Sequence, residues 1–127
     1  LCFPLKIAAP GKAYLADLDE KNRNRIISGL TLTRFTKNTL TSPEKLIDEC
    51  KRIKKLGYAV DNEEEMDGQI CIGSVVKNKK SEIAGAIWLV APTSRMNQER
   101  INKTGCLIHQ TANSISTALG YLSLQVA

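Results

Sequence analysis

The chain has 127 residues, 43% hydrophobic and 24% charged, with a formal net charge of +5. A chain of this length makes one domain, and this composition excludes a disordered or collagen-like polymer. The longest apolar run, IAGAIWLVAP at 83–92, is about half of what a membrane-spanning helix needs, so no membrane partner is expected.

The positive charge is spread from Lys6 to Lys103, and its densest stretch, KRIKK at 51–55, is interrupted by Ile53. With aromatics at only 5%, this reads as a solvated helix face rather than a surface that contacts nucleic acid. Cys2, Cys50, Cys71 and Cys106 lie far apart, form no CxxC, and stand beside a single histidine. A Cys/His zinc site has too few clustered ligands here, so no metal is expected. No signal peptide is visible. Scattered cysteines then fit free thiols in a reducing cytoplasm. The chain opens Leu1-Cys2-Phe3-Pro4 without an initiator Met, and is expected to be a fragment of a longer protein.

In chain order, Phe3 to Leu5 reads as extended. Pro10 suits the first position of a helix running to about Asp17. A second helix is predicted over 19–28, capped by Asp19 and ended by Gly29. The Thr-rich stretch 30–41 reads as extended or irregular. Ser42-Pro43-Glu44 is a strong helix start and Gly57 a strong stop. Between them Leu46, Ile47, Cys50, Ile53 and Leu56 recur at helical spacing. Tyr58 to Val60 is a short strand. Ile70–Val76 and Ile83–Ala91 are two longer strands joined by the polar loop 77–82. Asn97 caps the last helix, whose buried stripe is predicted to be Ile101, Gly105, Ile108, Ala112, Ile115 and Leu119, with Gly120 ending it. An antiparallel sheet with helices packed on it, an α+β fold, is the economical arrangement.

Several residues could carry chemistry. The acidic run DNEEEMD at 61–67 lacks the Gly and Glu spacing of a calcium loop, and reads as a solvated connection between strands. Asp61 stands apart, because it follows the short strand and can face a pocket from its end. Alternation places Cys71, Gly73 and Val75 on one face of their strand. A nucleophilic cysteine needs a base in reach. The only His is His109, and spacing neither excludes nor favours a Cys71–His109–Asp61 trio. Trp88 shares a face with Ala84, Ala86 and Val90, where it could fill a cavity or roof a ligand. Pro10-Gly11-Lys12 opens a helix with free backbone amides at Gly11, Lys12 and Ala13, which attract anionic groups.

The segments PLKIAAPGKAYLADL, TSPEKLIDECKRIKKLGYAVDNEEEMDGQICIGSVV and APTSR, with the closing helix, resemble the effector-binding domain of IclR-type bacterial transcription regulators. The resemblance runs from Phe3 to Gly120. It implies a GAF-like antiparallel sheet with helices packed on it, acting as an effector-binding and oligomerisation domain over residues 1–127. It also implies an N-terminal winged helix-turn-helix that contacts DNA; that part and the first strands of the domain are expected to be absent from this chain. The implied partners are a small organic effector, often a carboxylic acid, and further copies in a homodimer or tetramer. No catalysis and no cofactor are implied.

By the same resemblance, Asp61 and Cys71 match positions that line the effector pocket. Ala9 and Pro10, just before Gly11, stand where keto-acid binders of the family meet the ligand carboxylate with a Gly-Ala pair. Trp88 and Val90 stand where those binders have two serines. Pro10 has no N–H to give, and two hydroxyls become apolar groups. Phe3, Trp88 and Val90 therefore imply a more apolar cavity for a larger or aromatic guest. The alternatives are that Trp88 fills the cavity and leaves only an assembly module, or that Cys71 serves a thiol enzyme.

Overall fold

A computed structural model describes residues 8–122 of the chain. The first helix, α1, covers Ala9–Asp17, with Pro10 in its first turn. It starts one residue earlier than Pro10 predicts, so the Lys12 amide donates to the Ala8 carbonyl at 2.9 Å and is not free. Helix α2 covers Glu20–Ser28 and is capped by Asp19, whose carboxylate accepts from the Asn22 amide. The segment 30–41 is irregular, and its Thr36 and Thr39 hydroxyls donate to the carbonyls of Glu63 and Glu64. Helix α3, Pro43–Leu56, is capped by Ser42 and closed by Gly57 at φ +85°, a left-handed position that glycine adopts at little cost.

Strands β1 (Ala59–Asn62), β2 (Gln69–Lys77) and β3 (Ile83–Pro92) form one antiparallel sheet in the order β1-β2-β3. A short 3-10 turn at Thr93–Arg95 leads to α4, Gln98–Ala118, capped by Asn97. Helix α1 lies on one face of the sheet with α3 behind it, and α4 lies on the other. The first face buries Ala9, Ala13, Leu15, Leu46, Cys50 and Cys71 together. The second buries Tyr58, Ile70, Ile72 and Ile101. The α+β arrangement expected from the sequence is present.

Three further expectations change. Asp61 lies inside β1, opposite Cys71, rather than after the strand. The acidic run is only partly solvated, since Asp61 and Glu64 are buried. The stripe of α4 also turns near its end. Ile101, Gly105, Ala112 and Ser116 are buried, while Ile115 and Leu119 are 37% and 46% exposed. Ser116 faces inward because its hydroxyl donates to the Ala112 carbonyl and accepts from the Lys77 amide at the end of β2.

Strand β1 is an edge of the sheet, and its outer backbone groups are held by side chains. The Val60 carbonyl accepts from Lys12 Nζ at 2.6 Å. The Asn62 amide donates to Glu64 Oε2 at 2.9 Å, and the Asn62 carbonyl accepts from Asn38 Nδ2 at 3.0 Å.

Candidate functional site

The α1 face of the sheet carries two lines of residues in register. Asp61, Cys71 and Val90 are opposite one another across the three strands, and Ala59, Gly73 and Trp88 form the next such line. The amino end of α1 lies close over them, with Ala9, Pro10 and Gly11 buried. Gly73 permits this approach. A side chain there would meet the Pro10 nitrogen at 3.3 Å and the Trp88 Cβ at 3.2 Å.

The structure therefore brings Ala9, Pro10, Gly11, Asp61 and Cys71 together, with Val90 and Trp88 along the same face on β3. Phe3 lies outside the described residues. The two β3 residues are open, Trp88 at 43% and Val90 at 53%. Trp88 is thus not a buried plug between α1 and the sheet.

The electrostatics follow from burial. Asp61 is 1% exposed, and burial pushes its carboxyl above the usual range, against the opposing pull of the Glu64 and Glu65 amides and of Lys12. Its Oδ1 accepts from the Glu64 amide at 2.8 Å and the Glu65 amide at 3.4 Å. Asp61 thus shapes the β1–β2 turn through Oδ1. Cys71 is buried, and that burial, with the Asp61 charge next to it, pushes its thiol up to about 11 despite the Ala9 amide that donates to it. At neutral pH it is a protonated, unreactive thiol.

The Cys71–His109–Asp61 trio does not form. The His109 ring packs against Gly57, and its Nε2 is 3.3 Å from Asn113 Nδ2. Gly57 precedes Ala59, which pairs with Gly73, so His109 sits level with Val75 of β2. Four residues separate Val75 from Cys71, about 13 Å at ~3.3 Å per residue.

Sequence reasoning missed a buried ion pair beside this site. Lys12 is 0% exposed. Its Nζ reaches the Val60 carbonyl and both oxygens of Glu64, at 2.9 and 3.0 Å, with Glu49 at 3.7 Å. A buried cation requires such partners. The available signal was a lone Lys in APGKAYLAD, a helix otherwise small or apolar over its first turns. Among the described residues no cluster of three His, Cys, Asp or Glu side chains could hold a metal ion. Among the same residues no helix is long and apolar enough to cross a membrane.

Residues 1–117 match the family described as bacterial transcriptional regulator IclR C-terminal. The chain belongs to this family. It is 37% identical over 118 residues to the HTH-type transcriptional repressor AllR of Escherichia coli (strain K12), an alignment covering 93% of this chain and 44% of AllR. The chain thus spans less than half the length of the curated relatives it matches. The C-terminal domain of the E. coli transcriptional regulator KdgR superposes with a TM-score of 0.84 at 32% identity, covering 93% of this chain and 72% of that one. The inducer-binding domain of a PobR double mutant from Acinetobacter, solved with 3-hydroxybenzoic acid, superposes with a TM-score of 0.80. At 24% identity, over 90% of this chain and 66% of that one, it shows a shared fold alone.

Proposed function

We propose that this IclR-family domain senses a small organic effector and mediates assembly of a cytoplasmic transcription regulator. The effector lies against the amino end of α1 and the α1 face of β3, where Trp88 and Val90 are open. One observation carries this reading: Asp61, Cys71 and Val90 stand in register across the sheet directly beside the buried Ala9–Gly11 turn. Such a site offers a carboxylate, a thiol and apolar walls, which suits binding more than chemistry. Cys71, protonated at neutral pH by its burial, makes and breaks no bond there. The open Trp88 and Val90 favour an aromatic or branched acid. Pro10, without an N–H, disfavours the two-amide carboxylate grip that a Gly-Ala pair would give.

The regulator works by population shift. A homodimer or tetramer has two arrangements, the effector prefers one, and a winged helix-turn-helix elsewhere in the protein reads the difference at its operator. Thermal shift with a panel of aromatic, hydroxy and keto acids tests the reading. A true effector at about a hundred times its Kd stabilises the fold by roughly 2.7 kcal/mol. Trp88→Ser is expected to change the order of preference within the panel. A panel that stabilises nothing in the full-length regulator, or an order indifferent to Trp88→Ser and to Val90→Ser, refutes this site.

A further inference from the structure

A groove of about 380 Å³ runs along the outer edge of β1, between α3 and the amino end of α4. It shares no lining residue with the effector site. Tyr58, Val60 and Ile101 give it an apolar floor, and Glu49, Glu64 and Arg52 give it charge. Its volume falls in the range of small-molecule sites, roughly 300–1,000 Å³.

The two carboxylates differ. Glu64 is satisfied by Lys12 Nζ and the Asn62 amide. Glu49 is not. Its oxygens stand 3.7 Å from Lys12 Nζ and 3.6 Å from Arg52 Nη1, which are ion-pair separations too long for good hydrogen bonds. Among the described residues Glu49 accepts no hydrogen bond, although its side chain is only 19% exposed. A carboxylate that lines the groove and accepts no hydrogen bond from these residues has lone pairs to offer a guest. Arg52, 61% exposed at the mouth, is held just as loosely and presents a planar fork of donors.

The geometry points to a second small-molecule site in this groove, for a free α-amino acid with an apolar side chain. Its ammonium group donates to Glu49, its carboxylate accepts from Arg52, and its side chain lies on Tyr58, Val60 and Ile101. Glu49 and Arg52 are three apart on α3 and so share one helix face, which suits two opposite charges carried on one carbon of a ligand. Lys12, Glu64, Glu49 and Arg52 together carry no net charge. That balance favours a zwitterion over a simple acid or a simple amine. Lys12 also belongs to α1, whose amino end borders the effector site, so the two sites share a neighbour.

The test is an NMR titration of the isotope-labelled full chain with L-leucine, 4-methylpentanoate (which lacks the ammonium group) and 3-methylbutylamine (which lacks the carboxylate). Leucine is expected to shift the amide resonances of Val60, Asn62, Gln98 and Asn102, and to bind at least about tenfold more tightly than either analogue, a difference near 1.4 kcal/mol. Glu49→Gln and Arg52→Gln are each expected to weaken leucine by a similar factor with little change in Tm. No shift with leucine at millimolar concentration, equal shifts with all three compounds, or unchanged affinity in both variants overturns the proposal. Resonances of Cys71 and Val90 report the effector site separately, so either site can fail alone.

Discussion

Replacing Lys12 by Met is the sharpest perturbation of this fold. Met keeps the unbranched stem of the lysine and removes only the charge and its donors. The change strands the Glu64 carboxylate, whose side chain is 8% exposed, with the Asn62 amide as its remaining donor. It also removes the side-chain donor from the Val60 carbonyl, at present 2.6 Å away. Breaking a buried pair by removing one member costs about 3–5 kcal/mol, and this already includes most of the roughly 1–3 kcal/mol for an unmet acceptor. At about 4 °C of Tm per kcal/mol for a domain of this size, Lys12→Met lowers Tm by roughly 12–20 °C. Glu64→Gln costs less, because the amide oxygen still accepts from Lys12 and from the Asn62 amide. The double variant no longer buries a lone charge, and recovers about 1–3 kcal/mol relative to the sum of the singles. Urea denaturation of all four proteins at neutral pH measures the cycle. A Lys12→Met cost below about 1 kcal/mol, the level of an exposed pair, or strict additivity in the cycle refutes the reasoning.

Three further outcomes follow from the geometry. Gly105→Ala places a Cβ 2.3 Å from the Tyr58 ring and is expected to cost about 1–3 kcal/mol by overpacking; Gly85→Ala meets nothing within 4 Å and is expected not to lower Tm. Thermal denaturation separates them, and equal Tm values would contradict the packing argument. Asp61 has a folded pKa raised above its ordinary value of 3.8 by burial, so its contribution to stability is complete at acid pH and declines as pH rises through the raised pKa. Asp61→Asn keeps the oxygen that caps the β1–β2 turn and removes this titration. The variant is therefore expected to gain on the parent as pH climbs from about 4, levelling off once Asp61 is ionised; a gap independent of pH between 4 and 8 would mean that burial does not perturb this carboxyl. Native iodoacetamide labelling at pH 7 should modify the exposed Cys106 well before Cys50 and Cys71, both buried and pushed up to about 11. Peptide mapping that finds Cys71 modified as fast as Cys106 would reverse that assignment.

The helix boundaries were legible because caps and stops are local chemistry. Ser42 with Pro43, Asn97, and Gly57 each do their work within a turn of chain. Strand faces were legible for the same reason, since alternation alone puts Cys71 with Gly73 and Trp88 with Val90. The Lys12–Glu64 pair was not, because 52 residues separate its members and only the docking of α1 on β1 makes them neighbours. That pair also explains the error over the acidic run. DNEEEMD looks uniformly solvated as text, yet Asp61 and Glu64 turn inward because backbone amides and a buried ammonium await them. The exposure of Trp88 and Val90 depends on what lies over β3, which a strand's own alternation does not contain. The inward place of Ser116 in α4 goes with its hydroxyl anchoring a strand end, a contact with no periodicity to reveal it.

The side chains that occupy the outer rim of β1 also decide how this sheet can be extended. An invading segment that tried to zip onto β1 would have to evict an ammonium, a carboxylate and a carboxamide, each already seated on a backbone group it needs. Such guarding is how natural sheets avoid runaway self-association. Any added strand, from this polypeptide or another, is thereby directed to the opposite border of the sheet, beside Trp88 and Val90, where it would widen the very surface proposed to receive the effector.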